Sequence, residues 1–173
     1  MEAEEQPMNY FQLFELPQGF FPDPVLVRKK YYELSRRYHP DFFVQQGEVA
    51  REQAEERLKE VHAAYNVLSD AGKTMAYLLG LETGMTAEEK YALSPDFLME
   101  MMELNEALQE ADSAGARAEV TTQILDKKRE LYENIKPMLE GYQPGVISPE
   151  ALLPIKEFYY RQKYIQRLLG QAE

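Results

Sequence analysis

The side chains best placed to do chemistry in this chain lie at His39-Pro40-Asp41. An imidazole and a carboxylate flanking a proline could move a proton, ligate a metal, or offer a charged acceptor to another protein. Only two histidines occur, His39 and His62, and there is no cysteine. A loop and much of a helix are predicted between the two, so neither has the spacing of a ligand set. His62, in EVHAAY, reads as a packed or rim histidine. No Gly-rich phosphate loop or nucleophile elbow is present. The expectation is therefore a protein that is not an enzyme, with no catalytic residue, no metal and no cofactor. Proline disfavours helical geometry at the residue before it, so Pro40 should end a helix near His39 and leave the tripeptide in a loop. On its own that is also the pattern of a plain helix stop.

The elements around the tripeptide are all predicted helices, because the 3.6-residue apolar period recurs along the chain and no strand-like alternation does. Residues 10–16 form a short helix closed by Pro17, followed by a loop over 18–22. Asp23-Pro24 pairs a capping acceptor with a proline at the first helical position. The helix it opens runs to Tyr38 with Val27, Tyr31, Leu34 and Tyr38 on one face. A long helix follows over about 49–68, with Leu58, Val61, Tyr65 and Leu68 at similar spacing, then a shorter one over about 72–81. ETGMTAEEK reads as a connection. Ser94-Pro95-Asp96 and Ser148-Pro149-Glu150 repeat the cap-then-proline opening. They start helices near 95–112 and 149–169, with another near 115–139 and a loop at 141–145.

Composition narrows the class. The chain has 173 residues, 45% of them apolar, enough for one domain or two small ones with real cores. A net charge of −11 argues against nucleic acid or an anionic membrane as the main partner. The charge is uneven: residues 9–80 carry nine Lys/Arg and ten Asp/Glu, and residues 81–173 carry ten and seventeen. No run reaches transmembrane length. The opening MEAEEQPMNYF fits neither a secretory nor a mitochondrial leader, so a cytoplasmic protein is expected.

The helix before the tripeptide carries Arg28, Lys29, Lys30, Arg36 and Arg37, and LKEVHAAYNVLSD and GKTMAYLL come after it. This order of four helices around His-Pro-Asp resembles the J-domain of DnaJ-type co-chaperones across residues 9–80. The resemblance implies a helical hairpin with the tripeptide at its tip, docking on a DnaK/HscA-type ATPase chaperone and stimulating its ATP hydrolysis. Carried onto this chain, the contact comprises Arg28, Lys29, Tyr32, Arg36, Arg37, His39, Pro40 and Asp41, with Tyr31 a further candidate that core packing also explains. The physics suits the role: a cationic helix steers the module to an acidic partner, where Asp41 can pair with an arginine. One position departs. The family commonly has Lys or Arg after the tripeptide, and here Phe42 stands there.

Downstream, YLLGLETG and SPDFLMEMMELNEALQEAD resemble the HscB (Jac-type) co-chaperones of iron–sulfur cluster assembly, so that the resemblance covers nearly the whole chain. At about 100° per residue, Phe97, Met101, Leu104 and Leu108 form one stripe, the core face. Met99, Met102, Glu103, Glu106 and Glu110 fall opposite, and methionines among acids on a solvent face suit a partner-docking patch. A second helix burying that side is the other explanation. The resemblance implies that the patch binds an IscU-type scaffold protein through Leu98, Met99, Met102, Glu103, Glu106 and Glu110, joined by an aromatic from the last helix, Tyr160 first and Phe158 second. The cysteine zinc module at the start of some relatives is missing here, as expected of a bacterial form.

The expectation is thus an all-α protein with a J-domain over 8–81, a linker over 82–94 and a C-terminal three-helix bundle over 95–171 that holds the scaffold. Two alternatives stay open: a J-domain co-chaperone with another client, and a helical interaction protein without an ATPase partner.

Overall fold

The computed structural model describes residues 7–172, all helix, turn and coil, with no strand among them. Most of the acidic opening on which the leader expectation rests, residues 1–6, lies outside the described residues. The helices are α1 (Tyr10–Leu13), α2 (Pro24–Arg37), α3 (Glu48–Leu68), α4 (Ala71–Thr83), α5 (Pro95–Glu110), α6 (Ala114–Glu140) and α7 (Leu153–Ala172), with 3₁₀ turns at Pro40–Gln46 and Pro149–Leu152. The chain divides into two compact units between Leu78 and Leu79.

In the first unit α2 packs on α3 as a hairpin and α1 packs on α3. α1 opens with a capping box: Asn9 Oδ1 accepts from the Gln12 N–H at 2.9 Å and Gln12 Oε1 from the Asn9 N–H at 2.8 Å. The helix is shorter than expected. It closes at Leu13 because Glu15 turns left-handed, φ 52°. That lets the Leu16 N–H reach the Phe11 carbonyl at 2.9 Å and the Glu15 N–H reach Gln12 at 3.1 Å, a Schellman closure. Val27 and Leu34 of α2 and Ala54, Val61, Ala64 and Leu68 of α3 are buried between the helices and their neighbours. Tyr31 stacks on Tyr65 at 4.1 Å and bonds His62 at 3.1 Å, so both Tyr31 and His62 belong to the hairpin's rim. α4 is tied back by Tyr77, whose ring stacks on Tyr10 at 4.5 Å. Its Thr74, fully buried, donates to the Val67 carbonyl at 2.9 Å.

In the second unit α5, α6 and α7 pack pairwise. Phe97, Met101, Leu108, Val120, Ile124, Ile165 and Leu168 form the core, with Leu104 packed against it. An ion pair from Lys127 to Glu100 at 3.0 Å joins α6 to α5. The last helix starts later than expected. Pro154 has no N–H to offer the Glu150 carbonyl, so the chain first makes a 3₁₀ turn capped by Ser148, whose Oγ accepts from the Ala151 N–H at 3.3 Å.

Candidate protein-docking sites

The first site is built on the outer face of α2. Asp23 accepts from the Val25 and Leu26 N–H groups at 2.8 and 3.4 Å, and Pro24 supplies the preset first residue, which fixes the helix register. With Val27 and Leu34 turned inward, Arg28, Lys29, Tyr32 and Arg36 fall within about 100° of arc on the opposite side. All four are exposed. Arg37 pairs with Glu33 at 3.2 Å, whereas Arg28, Lys29 and Arg36 make no ion pair among the described residues. Three cations without an internal partner, two of them in the first half of the helix, exceed what helix-dipole compensation at the C-terminus would call for.

At the end of α2 the tripeptide lies in the connection between α2 and α3, as expected, and the connection is itself helical: Pro40 begins a 3₁₀ segment that runs to Gln46. His39 is its N-cap, in extended geometry as the following proline requires. Its Nδ1 accepts from the Asp41 N–H at 3.4 Å and faces Asp41 Oδ2 at 3.6 Å. The Phe42 N–H closes the first turn on the His39 carbonyl at 3.1 Å. Gly47, at φ 99°, redirects the chain into α3, a conformation open to glycine and strained for other residues. The result is that Asp41 projects outward with 84% of its side chain exposed and with no lysine or arginine paired to it among the described residues.

The second site lies on α5. Phe97, Met101 and Leu108 are buried, and Met99 and Met102 on the far side are 60% and 56% exposed. Glu103, Glu106 and Glu110 are exposed beside them and Leu98 is half-buried at the edge of the strip. Among the described residues no second helix of the unit buries Met99 or Met102, which answers the alternative explanation for the methionines. The Ser94 side chain makes no cap bond, contrary to expectation, and instead accepts from Arg161 Nη2 at 3.4 Å.

The aromatic candidates of α7 separate cleanly. Phe158 is 4% exposed, on the same inner face as Ile155, Ile165 and Leu168, so the expectation that it could serve the surface is corrected by its burial. Tyr160 is half-exposed and takes its partners from the segment before α5. Its ring stacks on Tyr91 at 4.6 Å, 4° from parallel, and its hydroxyl donates to Glu89 Oε2 at 3.2 Å. Glu89 also receives Lys156 Nζ at 2.6 Å. Residues of the expected linker are therefore pinned onto the last helix. Burial pushes the Tyr160 phenol up to about 12, with the Glu89 hydrogen bond adding to it, and burial pushes Tyr91 up to about 12 as well.

Tyr91 and Glu89 were not among the residues the sequence singles out. The available signal was weak: a tyrosine and a glutamate in a stretch without apolar period, whose partners lie some seventy positions away. The Glu89 carboxyl is held below its ordinary value near 4.5, first by the Lys156 hydrogen bond and then by Tyr160. A depressed folded value means that this tether is complete above the ordinary carboxylate range and is lost as pH falls through the lower, folded value. In an acid titration followed by NMR, the Tyr160 ring resonances should move with a midpoint below the ordinary glutamate value. Movement centred at or above that value would contradict the tether.

Comparison with known proteins gives both halves of the chain a family context. A DnaJ domain matches residues 9–77 and an HSCB C-terminal oligomerisation domain matches residues 93–173. A Co-chaperone protein HscB homolog of Vibrio cholerae is 30% identical over 171 residues, 96% of this chain and 95% of that protein. The human Iron-sulfur cluster co-chaperone protein HscB is 31% identical over 142 residues, 81% of this chain and 60% of that protein. Among solved structures, chaperone HscB from Vibrio cholerae superposes with a TM-score of 0.71 at 29% identity, over 95% of each chain. The human co-chaperone HscB structure superposes at 0.77 and 27% identity, over 99% of this chain and 84% of that one.

Proposed function

The chain belongs to the HscB family of J-domain co-chaperones, and from that membership we propose that it stimulates the ATPase of a DnaK/HscA-type chaperone and brings to it an IscU-type iron–sulfur scaffold protein for cluster transfer. The observation that carries the reading is the presence, in one chain, of two exposed faces of opposite chemistry. One is cationic and ends in the projecting Asp41; the other is acidic and carries two exposed methionines. The first suits an acidic ATPase partner and the second a client with apolar and basic surface.

In this reading residues 8–81 form the J-domain, 82–94 the connection and 95–171 the scaffold-binding domain. The chain performs no reaction itself; hydrolysis takes place on the ATPase chaperone, and scaffold held nearby is trapped when it occurs. We place the protein in the cytoplasm of a bacterial cell. The Vibrio relatives support that setting, and among the described residues no helix is long and apolar enough to cross a membrane.

Steady-state ATP hydrolysis by an HscA- or DnaK-type chaperone tests the proposal, measured with no addition, with this protein, with scaffold, and with both. Stimulation by both together should exceed the sum of the separate effects. Stimulation indifferent to scaffold would discard the client and keep the J-domain; no stimulation with any cognate chaperone would discard the whole reading.

A further inference from the structure

Phe42 occupies the position where the J-domain pattern commonly carries a cation, and its ring is 68% exposed. Single exposed apolar side chains are ordinary. This one is not isolated. It forms one wall of an open groove of about 770 Å³ between α2 and the 3₁₀ segment, lined also by Lys29, Tyr32, Glu33, Arg36 and Arg37. Tyr32, 59% exposed, contributes a second aromatic wall. The His39 ring meets Phe42 edge-on at 6.1 Å, so the ring's position is linked to the tripeptide itself.

The lining selects an occupant. Three cations against one glutamate favour a negatively charged segment. Two amphipathic or apolar rings in one lining favour an aliphatic or aromatic side chain projecting from it, since a purely polar segment would leave both rings solvated and gain nothing from them. We propose that Tyr32 and Phe42 clamp an apolar side chain presented by an acidic segment of the ATPase chaperone, and that Phe42 thereby sets which ATPase chaperone this protein engages. The inference rests on the reading that α2 and His-Pro-Asp dock such a chaperone. It replaces a charge contact after the tripeptide by an apolar one, and the two differ in salt dependence. Screening weakens ionic contacts, with a Debye length of about 10 Å at 0.1 M salt, and leaves apolar burial intact.

The test is binding of the full chain to the ATPase chaperone at low and high salt, with ATPase stimulation measured in parallel. Phe42→Ala should weaken binding by about tenfold, about 1.4 kcal/mol, and by the same factor at both salt concentrations. Phe42→Leu should retain most of the affinity, and the defect of Arg36→Ala should shrink as salt rises. Phe42 is exposed, so thermal unfolding should be unchanged in each position-42 variant. Phe42→Lys binding as tightly as the parent, or Phe42→Ala binding normally while Asp41→Asn fails to stimulate, would overturn the clamp and leave the docking reading standing. A Phe42→Ala defect confined to scaffold binding would also overturn it, by giving the groove a different occupant. Failure of the unaltered protein to stimulate would remove the docking reading and the clamp with it.

Discussion

Asp41→Asn is expected to abolish ATPase stimulation while leaving the thermal unfolding curve of the protein where it is. Asparagine keeps the shape of aspartate, and the bond from the residue's own N–H to His39 Nδ1 does not involve the side chain that changes. With 84% of the side chain exposed, no buried group loses a partner. The fold therefore has no reason to respond. The partner does, because a guanidinium brought against this position at the interface would be desolvated and left uncompensated. Removing one member of such a pair costs about 2–5 kcal/mol, or roughly 30-fold to several thousandfold in binding. A helix stop with incidental polar neighbours would tolerate the change, since Pro40 and the 3₁₀ turn behind it remain. Stimulation at the parent level by Asp41→Asn would therefore reduce the tripeptide to punctuation. Steady-state hydrolysis and a melting curve on the same preparation decide it.

Much of the first site was legible because it depends on local rules. Asp23-Pro24 marks the start of α2, Pro40 marks its end, and Val27 with Leu34 settles which face turns inward, so the exposure of Arg28, Lys29, Tyr32 and Arg36 follows. The 3₁₀ segment was not legible. PDFFVQQ has no apolar period, and its form rests on the cap by His39 and on the turn at Gly47. In the second unit the core stripe of α5 emerged from its period. The register of EFYYRQKY did not, because adjacent aromatics satisfy the same composition. The discriminating signal was Ile155-x-x-Phe158 and Ile165-x-x-Leu168, two pairs at one spacing that place Phe158 inside and leave Tyr160 at the rim. The Tyr91–Tyr160 stack and the late start of α7 lay beyond such rules. The first is a contact between distant segments, and the second comes from the amide missing at Pro154.

Met99→Ala combined with Met102→Ala should weaken binding of the scaffold about 30-fold while stimulation of the ATPase by the protein alone stays at the parent level. Both side chains already stand in solvent at 60% and 56% exposure, so their truncation opens no cavity and the bundle should melt normally. What is lost is the apolar area they would bury on a partner. Full burial of a methionine contributes about 1.5–3 kcal/mol, so two half-exposed ones removed together cost about 2 kcal/mol, roughly 30-fold. Methionine suits the task because its unbranched thioether adapts to a partner's contour without a preset rotamer. The neighbouring glutamates act differently. Glu103, Glu106 and Glu110 are exposed, so they contribute orientation and association rate more than net affinity, and salt should weaken that contribution while leaving the methionine term in place. Isothermal titration of scaffold into the double variant at two salt concentrations separates the two. Unchanged affinity in the double variant would move the docking surface off α5. A loss accompanied by a lowered melting temperature would point to a structural role for the pair, which their exposure argues against.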